Sequence, residues 1–274
     1  GLKVYLLDKS PAIGGVMAPV TLAGTLVVQT AEHLAAVVLA QTLQPQAPIL
    51  LGSFSSPMDP RTGMQRLAAA ELTLINGATA QICRRLGLPF GYGTGGVSDA
   101  STAGVQAGIE KALTTLGCAL AGVEVIHDAV SGILASGMIT CYEQMLIDAE
   151  MCQLVRRYVR GIEVSDETMA LASIAEVGPA GSFLAHRHTA KHVRSEILLS
   201  DLWDSGRQDG HRSVVHAART RVDELLQSGE RTLPLSASQI EAMVDVCRTE
   251  GLCESMVRSL VTADEERPGR RGDG

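Results

Sequence analysis

The sequence has few aromatic side chains and no excess of basic residues. Phe, Tyr and Trp make up 3% of the 274 residues, and the formal net charge is -7. Binding to nucleic acid needs a basic face that neutralises phosphates, so this charge predicts no nucleic-acid partner. The last residues, 263–274, are short of apolar side chains and rich in Arg and Gly, a composition that predicts a disordered tail.

Membrane and metal signals are also missing. No uncharged apolar run reaches the roughly 18 residues of a membrane span, which predicts no membrane partner. The six cysteines include no CxxC pair. They are typical of free thiols in a reduced, cytoplasmic protein rather than of a structural zinc site.

Apolar, β-rich runs alternate with helical patterns over the first 160 residues. Strands are predicted at residues 3–7, 49–54, 89–95 and 123–129, and helices at 31–44, 65–86, 103–121 and 140–160. Gly87 follows the second helix, where a left-handed residue commonly ends a helix. The alternation predicts an α/β fold with parallel strands, in either a doubly wound sheet or a (β/α)8 barrel, of which four units are half.

The pattern changes after residue 161. Ser165 and the acids after it predict a helix N-cap, residues 183–188 a short strand, and residues 214–226 and 237–248 amphipathic helices. We therefore expect a barrel part over residues 1–200, peripheral helices over 201–262 and a tail over 263–274. The chain starts at Gly1, directly before a predicted strand, and we interpret it as a fragment.

Glycines crowd the end of the third predicted strand and the residues that follow it. Residues 93–99, Gly-Thr-Gly-Gly-Val-Ser-Asp, are here called the glycine loop. Glycines let the backbone approach a ligand, and helix N-terminal amides favour anions, but the same residues also form tight turns. Both interpretations stay open. Asp99 either caps the next helix or faces a cation.

Other polar residues also allow both a structural and a functional interpretation. Gln106 and Glu110 share one helical face, a spacing that favours a solvent-exposed pair. His127, with Asp128, ends the fourth strand, where it is placed for proton transfer or cofactor ligation unless it is structural.

Three histidines lie close together late in the chain: His186, His188 and His192. Their spacing would converge on a metal only across a turn, and no carboxylate lies between them, so a polar loop at the barrel rim is favoured and no metal site is predicted.

The few aromatic residues near the β/α units are candidates to hold a quaternary ammonium through cation–π attraction. These residues are Phe54, Phe90, Tyr92 and Tyr142. Phe90 could equally be core.

Many segments, in the right order, resemble the trimethylamine methyltransferase family of corrinoid-dependent methylamine methyltransferases. Residues 18–24, 58–63, 93–99 and 106–112 resemble its APxTLAG, MDxRTG, GTxGxSD and QAGxEKA segments. Residues 126–128, 142–144 and 186–189 resemble further signatures, and the similarity runs from about residue 14 to 196. One departure is Ala100-Ser101 after the glycine loop, where a Ser-Lys is expected in many relatives.

The resemblance implies a (β/α)8 TIM barrel about twice this length, of which this chain is the C-terminal half with extra C-terminal helices. It also implies methyl transfer from a methylated amine to the Co(I) of a corrinoid (cobalamin) on a partner protein, with no cofactor bound tightly here. Founding members use pyrrolysine for trimethylamine. This chain has none, which favours the glycine betaine type and a quaternary amine.

The resulting site assignment has three parts. The predicted catalytic residues are Asp99, His127 and Glu110. The predicted substrate-binding residues are Phe54, Tyr92, Tyr142, Ser98 and Gln106. The predicted cofactor-binding residues are Gly93, Gly95, Gly96, His186 and His188.

Two alternatives remain. A truncated, non-catalytic partial barrel could act as a binding or assembly scaffold, and its open sheet edges would favour a homo-oligomer. A generic barrel aldolase or isomerase would need a Lys at a strand end, where only Lys9 qualifies.

Overall fold

The computed structural model describes residues 5–7, 12–203, 213–228 and 236–249. The chain divides into two compact units, Gly1–Glu224 and Leu225–Gly274. The predicted tail at residues 263–274 and Lys9 lie outside the described residues.

A curled sheet of four parallel strands forms the centre of the first unit. The strands are β1 (Tyr5–Leu7), β2 (Ile49–Ser53), β3 (Phe90–Thr94) and β4 (Ile126–His127), hydrogen-bonded in the order β1-β2-β3-β4. Each neighbouring pair is parallel, as βαβ crossovers require. The predicted α/β half barrel is confirmed to this extent, although β4 has two residues rather than seven.

One long helix follows each strand: α1 (Leu22–Leu43), α2 (Ala70–Leu86), α3 (Val105–Leu120) and α4 (Tyr142–Arg160). In α2, Glu71 lies in the first turn and two arginines in the last, which suits the helix dipole. Gly87 has φ +69°, so the predicted left-handed helix end is confirmed.

Helix α1 turns its polar side towards the sheet. Ser53 Oγ donates to Gln29 Oε1 at 2.6 Å, Gln29 Nε2 donates to Thr79 Oγ1 at 2.6 Å, and His33 Nε2 lies 2.8 Å from Gly52 O. These bonds attach α1 to β2 and α2.

The opposite side of α1 is apolar, and Val27 is 70% exposed. By length and composition alone, its 22 residues could cross a membrane, with a mean hydropathy of 1.5 over an 18-residue window. The helix includes the charged residue Glu32, so it is not an uncharged run of that length, and the absence of a membrane partner stays a prediction.

The core lies between the sheet and helices α2 and α3. Leu51, Phe90, Cys118 and Val123 are buried there together with Ala80 and Cys83. Phe90 is 1% exposed, and full burial of such a side chain contributes about 1.5–3 kcal/mol. Of the two interpretations of Phe90, the structure shows core packing.

A short hairpin that the sequence did not predict precedes α4. Its strands are β5 (Ile133–Leu134) and β6 (Ile139–Thr140), paired antiparallel around a 3₁₀ turn. With two residues each, these strands are too short for a periodicity signal.

In the described part of the chain, five further helices follow α4. They are α5 (Asp166–Met169), α6 (Leu171–Val177), α7 (Arg187–Glu196), α8 (Val214–Ser228) and α9 (Ala237–Thr249). The predicted cap is confirmed, because Ser165 Oγ accepts from the Thr168 amide at 3.2 Å. The predicted strand at residues 183–188 is wrong, since α7 begins there with His186 as its N-cap.

Candidate functional site

The carboxyl ends of β2, β3 and β4 meet at one edge of the sheet. Thr94 Oγ1 donates to Ser53 O at 3.1 Å, and the Gly95 amide donates to His127 O at 3.2 Å. The residues that follow these strands are Phe54, the glycine loop and Asp128. In parallel β/α folds this edge carries the active site.

The three predicted cofactor glycines lie against the protein's own atoms. A Cβ on Gly93 would lie 2.9 Å from Val123 Cγ1, and one on Gly95 would lie 2.9 Å from Ile126 Cγ2. Gly96 has φ +111°, and a Cβ there would collide with Asp128 O. The glycines therefore let the loop approach β4 closely, which is a packing role, and their contact with a cofactor stays a prediction.

Glu110, on α3, holds the end of the glycine loop. One of its carboxylate oxygens accepts from Ser98 Oγ at 2.6 Å and from the Asp99 amide at 2.9 Å. The other accepts from Gln106 Nε2 at 2.8 Å, so the helical pair exists but does more than face solvent. Ser98 is fully buried and Gln106 is exposed. In this geometry Glu110 positions the loop.

Asp99 faces a cation and does not cap α3. Arg66 Nε donates to Asp99 Oδ2 at 2.8 Å, and Ser136 Oγ donates to Asp99 Oδ1 at 2.8 Å. The N-cap of α3 is Gly104, without a side-chain bond. The Asp99 side chain is 12% exposed and that of Arg66 is 37% exposed, so the carboxylate is shielded from water while the guanidinium is partly solvated.

Arg66 also approaches Asp59 of the loop after β2, at 3.7 Å. Asp59 is mainly paired with Arg61, whose Nε and Nη2 donate to it at 3.0 and 2.7 Å. The hydrogen bond from the Arg61 side chain, followed by the one from the Arg61 amide, holds the pKa of Asp59 well below its usual value. A cavity of about 540 Å³ lies beside these residues and reaches Glu110.

His127 forms a second group at the same edge, with Asp128 and Phe54. Its Nδ1 lies 2.6 Å from Asp128 Oδ2, so Nδ1 carries the proton that the carboxylate accepts. That bond fixes the orientation of the ring. The ring meets Phe54 edge-on, with centroids 6.0 Å apart, and the side chain is 38% exposed. His127 thus combines a fixed orientation with access to solvent.

Other predicted site residues lie elsewhere or are undetermined. Tyr142 is the first residue of α4 and is 61% exposed. Tyr92 lies in β3 opposite Gly52, but its side chain is outside what the structure describes.

The histidines near α7 form a separate cluster. His186 Nε2 lies 3.4 Å from Glu176, and the rings of His188 and His192 are 4.4 Å apart. Within the described ranges, no hydrogen bond or ring contact joins them to the glycine loop or to His127. In those ranges, too, no group of three His, Cys, Asp or Glu side chains could hold a metal ion.

Sequence reasoning missed a buried ion pair behind the glycine loop. Lys111 Nζ donates to Asp148 Oδ2 at 2.8 Å and to Gly96 O, and both side chains are 1% exposed. Asp148 also accepts from the Gly132 amide at 2.9 Å and from Gln144 Nε2 at 2.8 Å. The pair therefore ties the glycine loop and the turn after β4 to α4.

The sequence of the chain matches a known protein family. The profile of the family described as "Trimethylamine methyltransferase (MTTB)" matches residues 7–248, which is most of the chain. The chain belongs to the trimethylamine methyltransferase family. The family resemblance that the sequence motifs indicated is thereby confirmed.

Two kinds of relative are similar to this member of the trimethylamine methyltransferase family. Trimethylamine methyltransferase MttB of Methanosarcina barkeri is 37% identical over 252 residues, covering 89% of this chain and 50% of the relative. Glycine betaine methyltransferase of Desulfitobacterium hafniense (strain Y51) is 37% identical over 201 residues, covering 73% and 41%. The chain thus spans about half the length of the curated relatives it matches.

Proposed function

We propose that the protein carrying this chain is a methyltransferase that moves a methyl group from a tertiary or quaternary amine to the Co(I) corrinoid of a partner protein. The observation that carries the proposal is membership of the family, combined with the charge around the strand ends. Among the described residues, four carboxylates lie there against two guanidinium groups: Asp59, Asp99, Glu110 and Asp128 against Arg61 and Arg66. The excess of negative charge favours a cationic amine.

The residues of this chain would bind and orient the amine. A methylated ammonium is attracted by aromatic faces, and Phe54 lies next to His127 at the mouth of the strands. Alignment of the methyl carbon with its acceptor is the main task, since good orientation alone removes a large part of a bimolecular barrier. The corrinoid supplies the nucleophilic metal, as cofactors do for difficult chemistry.

A quaternary amine such as a betaine suits this site better than trimethylamine. Its nitrogen is permanently charged, so its methyl group leaves without prior protonation of the amine. The identities to the trimethylamine and glycine betaine relatives are equal, at 37%, so the choice rests on this chemistry and on the absence of pyrrolysine from the 274 residues. The same proposal places the protein in the cytoplasm, completes its sheet as a closed (β/α)8 barrel and allows a homo-oligomer.

The decisive assay mixes the protein carrying this chain with a Co(I) corrinoid protein and either glycine betaine or trimethylamine. Methyl–cobalt formation is followed by absorbance. We expect methylation with a quaternary amine. If no tertiary or quaternary amine yields methyl–cobalt, the proposal fails.

Two substitutions locate the activity. His127→Gln removes the imidazole, and Asp99→Asn removes the partner of Arg66. Each should lower kcat/KM by about 100-fold, because a misplacement of about 1 Å in the reacting groups can cost a factor of that order. His216→Gln, an exposed histidine on α8, is the matched control and should leave the rate unchanged. Normal rates in both site variants would refute their assignment.

A further inference from the structure

A basic groove lies between α4 and α7, away from the strand ends. Gln153, Arg156, Arg157 and Arg160 recur at spacings of three and four residues, so they share one face of α4. Arg194 of α7 completes the wall, and Ser195, Ile197, Leu198 and Leu199 line the rest of a cavity of about 500 Å³. Four guanidinium groups thus line one cavity in a chain whose net charge is -7.

Two of these arginines have an evident structural task. Arg157 Nε donates to Glu196 O at 3.0 Å, and its Nη1 donates to Gly161 O at 2.9 Å. Arg160 Nη2 donates to Ser195 O at 2.6 Å. Carbonyls at helix C-termini attract cations, so these bonds hold the end of α7 against the end of α4. Both arginines also share the carboxylate of Glu196.

Arg156 and Arg194 have no such task. Both are exposed, and neither forms a hydrogen bond or ion pair with any residue that the structure describes. Glu196 is the one carboxylate paired with the groove arginines in those residues, so the groove keeps a local excess of positive charge. Five N–H donors on each guanidinium are available to an acceptor of matching geometry.

We propose that this groove binds a phosphate-type oxyanion, such as a phosphate or diphosphate group. Forked guanidinium donors match the oxygens of phosphate in bidentate pairs. A compact anion fits better than an acidic protein surface, because salt screens charges beyond about 8 Å. A compact anion in the groove therefore interacts mainly with the groove arginines. A protein-sized acidic partner would also meet the rest of a chain whose net charge is -7. This inference is independent of the methyl-transfer proposal.

The test is calorimetric titration of the full chain with inorganic pyrophosphate at low and high salt. Arg156→Gln and Arg194→Gln remove one guanidinium each and spare the bonds that hold α7. The matched control is Arg221→Gln on α8, an exposed arginine paired with Glu224. Circular dichroism melts establish that all three variants remain folded.

We expect saturable binding with one site, weakened by added salt. Each groove variant should weaken it about tenfold, equivalent to about 1.4 kcal/mol, while Arg221→Gln should stay within about twofold. The proposal is overturned by a lack of saturable binding at millimolar pyrophosphate, or by equal weakening in the control, which would indicate a diffuse charge effect. Tighter binding of a glutamate-rich peptide than of pyrophosphate would overturn it as well, in favour of an acidic protein partner.

Discussion

Replacing Lys111 by Met removes the ammonium of the buried ion pair while keeping a long, unbranched side chain. Asp148, which is 1% exposed, would keep the hydrogen bonds from Gly132 and Gln144 but lose its cation. Breaking a buried pair by removing one partner typically costs 3–5 kcal/mol, because an uncompensated charge stays behind. We expect the free energy of unfolding of Lys111→Met to fall by about this amount.

A second substitution separates the charge from the packing. Asp148→Asn in the Lys111→Met background removes the stranded carboxylate, and the amide oxygen of Asn can still accept from the Gly132 amide. The double variant should therefore be more stable than Lys111→Met alone, by about 1 kcal/mol or more, since contacting residues couple by roughly 0.5–3 kcal/mol.

The measurement is urea unfolding followed by far-ultraviolet circular dichroism. Lys191→Met is the matched control, because Lys191 pairs with Glu167 while both side chains are more than half exposed. Exposed pairs contribute about 0–1 kcal/mol, so this control should change little. The reasoning about burial is refuted if Lys111→Met costs no more than the control. It is also refuted if the effects of Lys111→Met and of Asp148→Asn, each measured alone, simply add in the double variant.

Three further outcomes follow from particular residues. Gly96→Ala should destabilise the protein by more than about 1 kcal/mol, because Gly96 has a positive φ and an added Cβ would collide with backbone. Gly108→Ala should stabilise α3 by roughly 0.5–1 kcal/mol, because nothing lies near the added Cβ. Thermal melts that show equal effects for the two variants would contradict this. Burial raises the pKa of Cys118 to about 11 from 9.0. The contribution of the protonated Cys118 thiol to stability is therefore full below pH 9.0 and is lost as the pH rises towards 11. Labelling of this thiol in the native protein at pH 8 would oppose the prediction. Arg61→Gln removes the main cause of the lowered pKa of Asp59. The difference in stability between wild type and the variant should therefore be largest above pH 3.8 and become smaller as the pH falls below that value. An acid titration in which this difference stays constant would contradict the prediction.

Local signals in the sequence predicted the order of the elements well. Gly87 marked a helix end because few other residues adopt φ +69°, and Ser165 marked a helix start because its hydroxyl can accept from a nearby amide. Helix α1 was predicted to begin at residue 31 rather than Leu22, because the first turns of the helix contain a glycine and several β-branched residues, which have low helix propensity. The false strand before α7 has another cause, since His186 caps that helix through Nδ1, and histidine is not among the usual caps.

Only part of the candidate site could be predicted from the sequence, because several of its contacts join residues that lie far apart along the chain. Asp99 and Glu110 were named from one segment, and the structure shows them joined through the Asp99 amide. Arg66, which pairs with Asp99 across 33 residues, gave no periodic or motif signal. The partners Lys111 and Asp148, separated by 37 residues, were missed for the same reason, because only the packing of α3 on α4 brings them together.

These contacts divide the site into a buried part and a solvent-exposed part. The glycine loop is held by Glu110, by Lys111 through Gly96 and by Arg66 through Asp99, so it is preformed without a ligand, and preformed positioning groups are what orientation of a small amine requires. His127, by contrast, is oriented by Asp128 and Phe54 and is 38% exposed. Substitutions in the buried part should therefore lower stability and activity together, whereas substitutions at the exposed His127 should lower activity with a smaller change in the melting temperature.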